Sequence, residues 1–381
     1  MKRMKFVLAP DSFKESMTAK EVCKAMEAGL KVVFPDAEFI HVPMADGGEG
    51  TVQSLIDATD GEIYHQTVTG PLGTPVDAQF GIIWSQQTAV IEMASASGIQ
   101  FTTKETKNPL TATTFGTGEL IKACLDKGIN KIILGIGGSA TNDGGAGMAA
   151  ALGVRFLDKN GLPLPAGGGA LGALCKIDLD GIDPRLADVE FLVASDVTNP
   201  LCGDTGASKT FGPQKGATPE TVAILDSALA HYADVIDAQL GRKVKDVPGA
   251  GAAGGLGAGL MAFTHCKMAR GIDIVTQYSG LSEKLVGADY CFTGEGGIDF
   301  QTKFGKTPYG VAQAAKAQGV PVIALAGYIG EGVSELYSEG IDAIFGIVPG
   351  AENIDALLKK GCSNVERTCE NIGRLLKIAR A

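Results

Sequence analysis

Residues 289–325 read DYCFTGEGGIDFQTKFGKTPYGVAQAAKAQGVPVIAL, and the order of their parts decides the fold. Asp289 to Phe292 predicts a short buried strand. A glycine-dense loop, Thr293 to Lys306, follows and carries Glu295, Asp299, Gln301, Lys303 and Lys306. Thr307 then stands as an N-cap, with Pro308 at the first helical position and Gly319 just past the helix end. Pro321 to Leu325 is the next strand. Strand, polar loop, helix, strand is a βαβ unit, which favours a parallel sheet. Loops leaving the carboxyl ends of such strands are where α/β proteins hold ligands. Glycines there let backbone N–H groups approach a phosphate, and the following helix N-terminus attracts negative charge. A plain surface turn would not need Glu295, Asp299, Lys303 and Lys306 together.

Two familiar phosphate loops are excluded. Gly305-Lys306-Thr307 matches the end of G-x-x-x-x-G-K-[ST], but the first glycine would fall on Phe300. Gly294-Glu295-Gly296-Gly297 does not complete G-x-G-x-x-G, because Asp299 occupies the last position.

Outward from this segment the chain repeats the same grammar. Lys5 to Ala9 is a buried strand ending in Pro10-Asp11-Ser12-Phe13-Lys14. The next helix starts at Thr18 with Glu21 as a capping box, and Val22, Met26, Leu30 and Val33 recur on one face. Glu38 to Pro43 is a second strand, ending in Asp46-Gly47-Gly48-Glu49-Gly50-Thr51 before a helix to about Ala58. Parallel strands would bring Asp11 and Asp46 to one sheet edge; the plainer role is that each caps its helix. From residue 62 to 94 the texture changes to strands joined by turns such as Gly70-Pro71-Leu72-Gly73, which reads as an inserted second domain. Lys131 to Gly135 is a strand before Gly137-Gly138-Ser139-Ala140-Thr141-Asn142-Asp143-Gly144-Gly145. Val189 to Ala194 is another, ending in Ser195-Asp196. Pro248 to Gly259 is the densest glycine stretch, read either as a close-packed helix start or as an anion-binding nest. A last helix, about Ile354 to Ile378, closes the chain.

Gly135-Ile136-Gly137-Gly138-Ser139-Ala140 fits G-x-G-x-x-A after a strand, and Asp158 follows the next strand. This supports a rival, an NAD-dependent oxidoreductase acting on a small hydroxy acid. Against it, the helix here opens only after Gly145, outside the glycine motif.

The totals bound the function. At 381 residues the chain has room for two domains, and 45% hydrophobic with 20% charged residues is a globular balance. Its 53 glycines cluster at strand ends, which points to ligand loops. A net charge of −10 argues against nucleic acid, so an anionic ligand must be met by local lysines and backbone donors. Eight cysteines without C-x-x-C spacing read as free thiols in a reducing cytosol, hence a cytoplasmic protein. Four histidines form no metal-ligand pattern. Residues 247–264 are uncharged but contain Pro248 and six glycines, so no membrane span is expected.

Taken together, APDSFKES (9–16), ADGGEGT (45–51), GIGGSATNDGG (135–145), SDVTNPLCG (195–203), FGPQKGA (211–217), PGAGAAGGLG (248–257) and TGEGGIDFQTKFGKTPYGVA (293–312) resemble the bacterial glycerate kinases of the first type. The runs cover nearly the whole chain in order. The resemblance implies phosphorylation of D-glycerate by ATP with Mg²⁺, most often at the 2-hydroxyl, with the 3-position as the alternative. It also implies two α/β domains. One is a flavodoxin-like parallel-sheet domain from both chain ends, 1–61 and 285–381. The other is an inserted α/β domain, 62–284, of swivelling β/β/α-like topology. A homodimer is left open. The chain departs from the pattern at Gly297, where many relatives carry Arg; a phosphate contact made there would pass to Lys303 or Lys306.

Phosphoryl transfer needs alignment, charge neutralisation and a group to accept the hydroxyl proton. On that footing Asp299 or Asp196 is expected to take the proton, with Lys306 beside the reacting groups. Asp11, Ser12, Lys14 and Gln301 are expected at the glycerate. Gly137, Gly138, Ser139, Asn142, Gly294, Glu295 and Gly296 are expected around the nucleotide. Asp46 and Glu49 are expected to hold the metal, since Mg²⁺ prefers carboxylate and phosphate oxygens.

Overall fold

The computed structural model describes residues 3–380. Among them the strands are β1 (Lys5–Leu8), β2 (Glu38–His41), β3 (Glu62–Thr69), β4 (Pro75–Ile83), β5 (Thr88–Glu92), β6 (Lys131–Gly135), β7 (Arg155–Leu157), β8 (Lys176–Asp178), β9 (Glu190–Ala194), β10 (His265–Ala269), β11 (Tyr290–Ile298), β12 (Val322–Ile329) and β13 (Ala343–Gly346). The chain divides into two compact units: residues 1–61 with 270–381, and residues 62–269.

The first unit is a five-stranded sheet in the order β13-β12-β11-β1-β2, with every pair parallel. Phe6, Val7 and Leu8 of β1 are buried without alternation, as expected of a strand covered on both faces. Phe6 packs against Phe39 and Phe292, which ties β1 to both neighbours through side chains as well as hydrogen bonds. The helix Ala19–Val33 begins at the expected Thr18–Glu21 capping box. It packs on the C-terminal helix Gly361–Ala379 through Gly29, where an added Cβ would stand 2.1 Å from the Glu366 carbonyl oxygen.

The second unit holds a six-stranded sheet, β10-β9-β6-β5-β4-β3. Strands β5, β6, β9 and β10 are mutually parallel, while β3, β4 and β5 pair antiparallel. The antiparallel texture read from residue 62 is therefore real, but it ends at β5. Strand β7 pairs only with β8, in a separate ribbon. Asp158 accordingly closes its own turn, accepting from Asn160 N and Leu162 N, and does not stand beside the glycine loop of a dinucleotide fold.

Four boundaries differ from the sequence reading. Strand β11 runs on to Ile298, so Gly294 to Gly297 are extended backbone beside β12 and not loop. The reason is steric: a Cβ on Gly294 would lie 2.4 Å from the Leu325 carbonyl oxygen, so glycine serves close strand packing there. The N-cap of the helix Thr307–Ala317 is Lys306, one residue early, which leaves the Thr307 hydroxyl for another partner. The last helix is two, Ile354–Lys359 and Gly361–Ala379, broken at Lys360. Residues 270–284 belong to the first unit, where 285 was the expected start. The stretch 248–259 resolves as a close-packed helix start. Positive φ at Ala253, Gly254 and Gly255 brings its backbone against Thr141, Asn142 and Gly144. No described helix is long and apolar enough to cross a membrane.

Candidate active site

In the first unit the strand order reverses direction between β1 and β11: the chain goes from β1 outward to β2, then returns to build β11, β12 and β13 on the other side. Such a switch point opens a crevice at the carboxyl edge. A cavity of about 900 Å³ lies there. The segments after β1 and β2 deliver Asp11 and Asp46 to it, Glu295 comes from the carboxyl-terminal half of β11, and Lys14, Asp299 and Lys306 also line it.

Asp11 is 8% exposed. Its backbone N–H is fixed on the Gly294 carbonyl at 2.9 Å. Its Oδ1 accepts from Ser12 N at 2.6 Å, and its Oδ2 accepts from the Thr307 hydroxyl at 2.5 Å. Burial pushes the Asp11 carboxyl up to about 6, the charge of Asp46 adds to the rise, and the Thr307 and Ser12 hydrogen bonds oppose it. Glu295 is pushed further, to about 7. Burial is again the first cause; Asp11 and Asp46 add repulsion, while Lys306 and the Thr302 hydroxyl work against it. Lys306 Nζ stands 3.7 Å from Glu295 Oε1, and Thr302 Oγ1 donates to the same oxygen at 3.2 Å. Three carboxyl groups thus share one poorly hydrated edge with too little positive charge nearby. That imbalance marks a site prepared for a cationic group or for proton transfer.

Other expected residues fall into place one by one. Asp46 Oδ1 accepts from Gly48 N at 3.0 Å within its own turn. Glu49 is exposed and lines a neighbouring groove with Ser12 and Lys14, outside the walls of the main cavity. Asp299 lines the cavity, but its carboxylate caps the 3₁₀ turn Phe300–Phe304, accepting from Gln301 N at 2.8 Å. Through that turn it seats Thr302, whose hydroxyl reaches Glu295. Gln301 is exposed and outside the lining. Lys303 is paired with Glu335 at 2.5 Å, so of the two lysines offered in place of an arginine at Gly297, only Lys306 lines the cavity. Gly294 serves strand packing; a Cβ at Gly296 or Gly297 would make only ordinary contacts, and both line the cavity. Glu15, beside Lys14, has φ +63°, a left-handed backbone that a non-glycine residue adopts at a cost and that clusters at ligand loops.

The second unit carries its own polar cluster. Gly137 and Gly138 are exposed at the end of β6, with Gly138 at φ +74°. Below them Lys215 is wholly buried and donates to Ser139 Oγ at 2.7 Å and to the Thr141 carbonyl at 2.6 Å. Burial brings its ammonium down to about 7, with Asp143 opposing. Asp143 is itself buried and accepts from Thr114 N, Thr114 Oγ1, Gly145 N and Gly147 N. Asn142 is fully buried and holds Ser208 Oγ at 2.9 Å, a framework contact. Asp196 is exposed just beyond the end of β9.

Thr307, Thr302 and Lys215 were not singled out as functional from the sequence. Thr307 and Asp11 lie 296 positions apart, so no local pattern could link them. Lys215 had one signal, a lone lysine among small residues in FGPQKGA.

A parallel α/β sheet with paired acids and a lysine at its switch point is the construction of a small-molecule enzyme. The glycerate kinase family model matches residues 6–377. A glycerate kinase of Halalkalibacterium halodurans is 52% identical over 366 residues, 96% of each chain. A glycerate 2-kinase of Escherichia coli is 50% identical over 375 residues, 98% of each. The crystal structure of a candidate glycerate kinase 2 from Salmonella typhimurium LT2 superposes with a TM-score of 0.92 at 48% identity, covering 99% of both chains. The chain belongs to the glycerate kinase family.

Proposed function

We propose that this enzyme transfers the γ-phosphoryl group of ATP to the 2-hydroxyl of D-glycerate. The observation that carries the reading is the acid trio of buried Asp11 with half-buried Asp46 and Glu295, the last beside Lys306, in a chain that matches glycerate kinases along almost its full length. The relative named as a glycerate 2-kinase supports the 2-position. The order β2-β1-β11-β12-β13 supports a flavodoxin-like first domain. The mixed sheet with an antiparallel hairpin at one edge is the support for a swivelling β/β/α-like second one.

The donor set fits Mg²⁺. Among the described residues no three acids or histidines cage an ion by themselves. Mg²⁺ does not need that, since it binds through one or two carboxylates plus phosphates and water. Asp46 and Asp11 would hold it; Glu49, on the exposed neighbouring groove, is not retained in that role. When bound, the cation supplies charge neutralisation across the transferring phosphates.

The protein's own groups do the rest. Glu295, whose carboxyl is pushed up to about 7, accepts in its ionised form the proton of the glycerate hydroxyl as that oxygen attacks the γ-phosphorus. The bond from phosphorus to the β,γ-bridging oxygen breaks, and ADP leaves. Lys306 stands beside the developing charge, and Lys14 is free to meet the glycerate carboxylate. Asp299 is a positioning residue, acting through Thr302, and replaces the earlier expectation of Asp299 or Asp196 as base.

The test is ADP release with D-glycerate, L-glycerate and related hydroxy acids, with phosphorus NMR of the product. A 2-phosphoglycerate signal dependent on D-glycerate is expected. Turnover with none of these acids would overturn the reading, and a 3-phosphoglycerate signal would reassign the position.

A further inference from the structure

The cavity is far larger than a three-carbon acid needs, and its two halves differ in chemistry. Beyond the acids it continues along the sheet edge past β12 and β13. There Gly327, Tyr328 and Ile329 end β12, Ile347 and Val348 follow β13, and Ile354 and Leu357 come from the helix Ile354–Lys359. Tyr328 and Ile354 are each 66% exposed. Large apolar side chains at the wall of a concavity, and not scattered singly, mark a binding surface. No charged residue belongs to this stretch of the lining. A carboxylate would find no cationic partner here, which disfavours glycerate in this half.

One polar group interrupts the apolar wall. Asn364, in the first turn of the helix Gly361–Ala379, lines the cavity and is 5% exposed. Its backbone groups are used, N–H to the Lys360 carbonyl and C=O from the Thr368 hydroxyl. Its side-chain amide makes no hydrogen bond to any described residue. The amide is covered by the chain but not sealed off, so its unpaired groups open toward the cavity. It offers a donor and an acceptor side by side, the pattern that pairs with adenine. The distance suits the same ligand: three strand spacings, about 14 Å, separate β1 from β13.

We infer that this apolar shelf is the nucleobase site of the phosphoryl donor. The purine rests against Tyr328 and the aliphatic wall, Asn364 reads its hydrogen-bonding edge, and the phosphates run along the sheet edge to the acids and Lys306. The inference rests on the kinase reading above.

The experiment compares wild type with Tyr328→Ala, Tyr328→Phe and Asn364→Asp. Base stacking on an aromatic ring is worth roughly five- to hundredfold by alanine substitution. Tyr328→Ala is expected to raise KM for ATP about tenfold or more, with KM for D-glycerate within twofold of wild type, and Tyr328→Phe is expected to stay near wild type. Asn364→Asp, acceptor-only, is expected to lower the ratio of ATP to GTP use about tenfold. ADP binding by calorimetry, which needs no turnover, is expected to weaken in parallel. An unchanged ADP affinity in both Tyr328→Ala and Asn364→Asp, or a rise confined to KM for glycerate, overturns the shelf. If wild type makes no phosphoglycerate, the kinase reading fails, and the ADP titration still decides the shelf.

Discussion

In the proposed mechanism Glu295 is the residue on which the chemistry turns, because its largely covered carboxyl lies among other acids and is pushed up to about 7. Glu295→Gln is expected to lower kcat by about a hundredfold or more with little change in KM for ATP, as removal of a general base does. Asp299→Asn, which keeps a capping side chain, is expected to cost less than tenfold. Steady-state kinetics of the two variants separate base from positioning residue. The wild-type kcat/KM should fall below about pH 7 as Glu295 takes its proton. Stability runs the opposite way. A carboxyl whose folded pKa lies above its unfolded value favours folding fully below about pH 4.5 and loses that contribution as pH rises through about 7. Moving from 4.5 to about 7 corresponds to at most about 3 kcal/mol. Metal-free Glu295→Gln is therefore expected to melt higher than wild type at pH 8 and no higher at pH 4.5, read by thermal denaturation with a chelator present. The sequence showed these acids as loop residues after strands. It could not show their mutual repulsion, which arises only when the carboxyl ends of β1, β2 and β11 meet.

Elements were legible wherever a local rule fixed them. The Thr18–Glu21 capping box and the apolar runs of β1 and β6 carry their own signals, and both appear where they were read. Misreadings came where a glycine had a reason elsewhere in the fold. Gly294 to Gly297 looked like loop because glycine breaks strands on average, yet β12 needs the bare backbone of Gly294 beside it. Gly294 and Gly296 therefore differ in a measurable way. Gly294→Ala forces a Cβ to 2.4 Å from the Leu325 carbonyl oxygen and is expected to destabilise by about 1–3 kcal/mol. At Gly296 the nearest atom is Lys14 N at 3.6 Å, so Gly296→Ala is expected to fold like wild type. Thermal midpoints of both variants check the pair.

On the scale of the whole molecule, the second unit is one continuous segment, 62–269, while the first is assembled from both chain ends. A fragment spanning 62–269 contains all of its sheet partners and is expected to be monodisperse and to unfold cooperatively. A fragment spanning 1–61 holds β1 and β2 without β11 and is expected to stay unfolded. Circular dichroism and size-exclusion chromatography of the two fragments test this. The change of texture at residue 62 was visible in the sequence because antiparallel hairpins announce themselves through turn residues. The return near 270 was not, because β10 ends at Ala269 and the helix Gly271–Tyr278 follows almost at once, with no run of turn residues to mark the change of unit.

The position of β1 between β2 and β11 has a consequence for synthesis. The ribosome makes Phe6, Val7 and Leu8 some 284 residues before their partner on one side, Tyr290 to Phe292. At roughly 5–20 residues per second, that bare edge waits on the order of ten seconds or more. An apolar edge exposed for that long is a template for wrong pairing. Newly made chains halted before β11 should therefore be favoured clients of nascent-chain chaperones, and chains released after it should not.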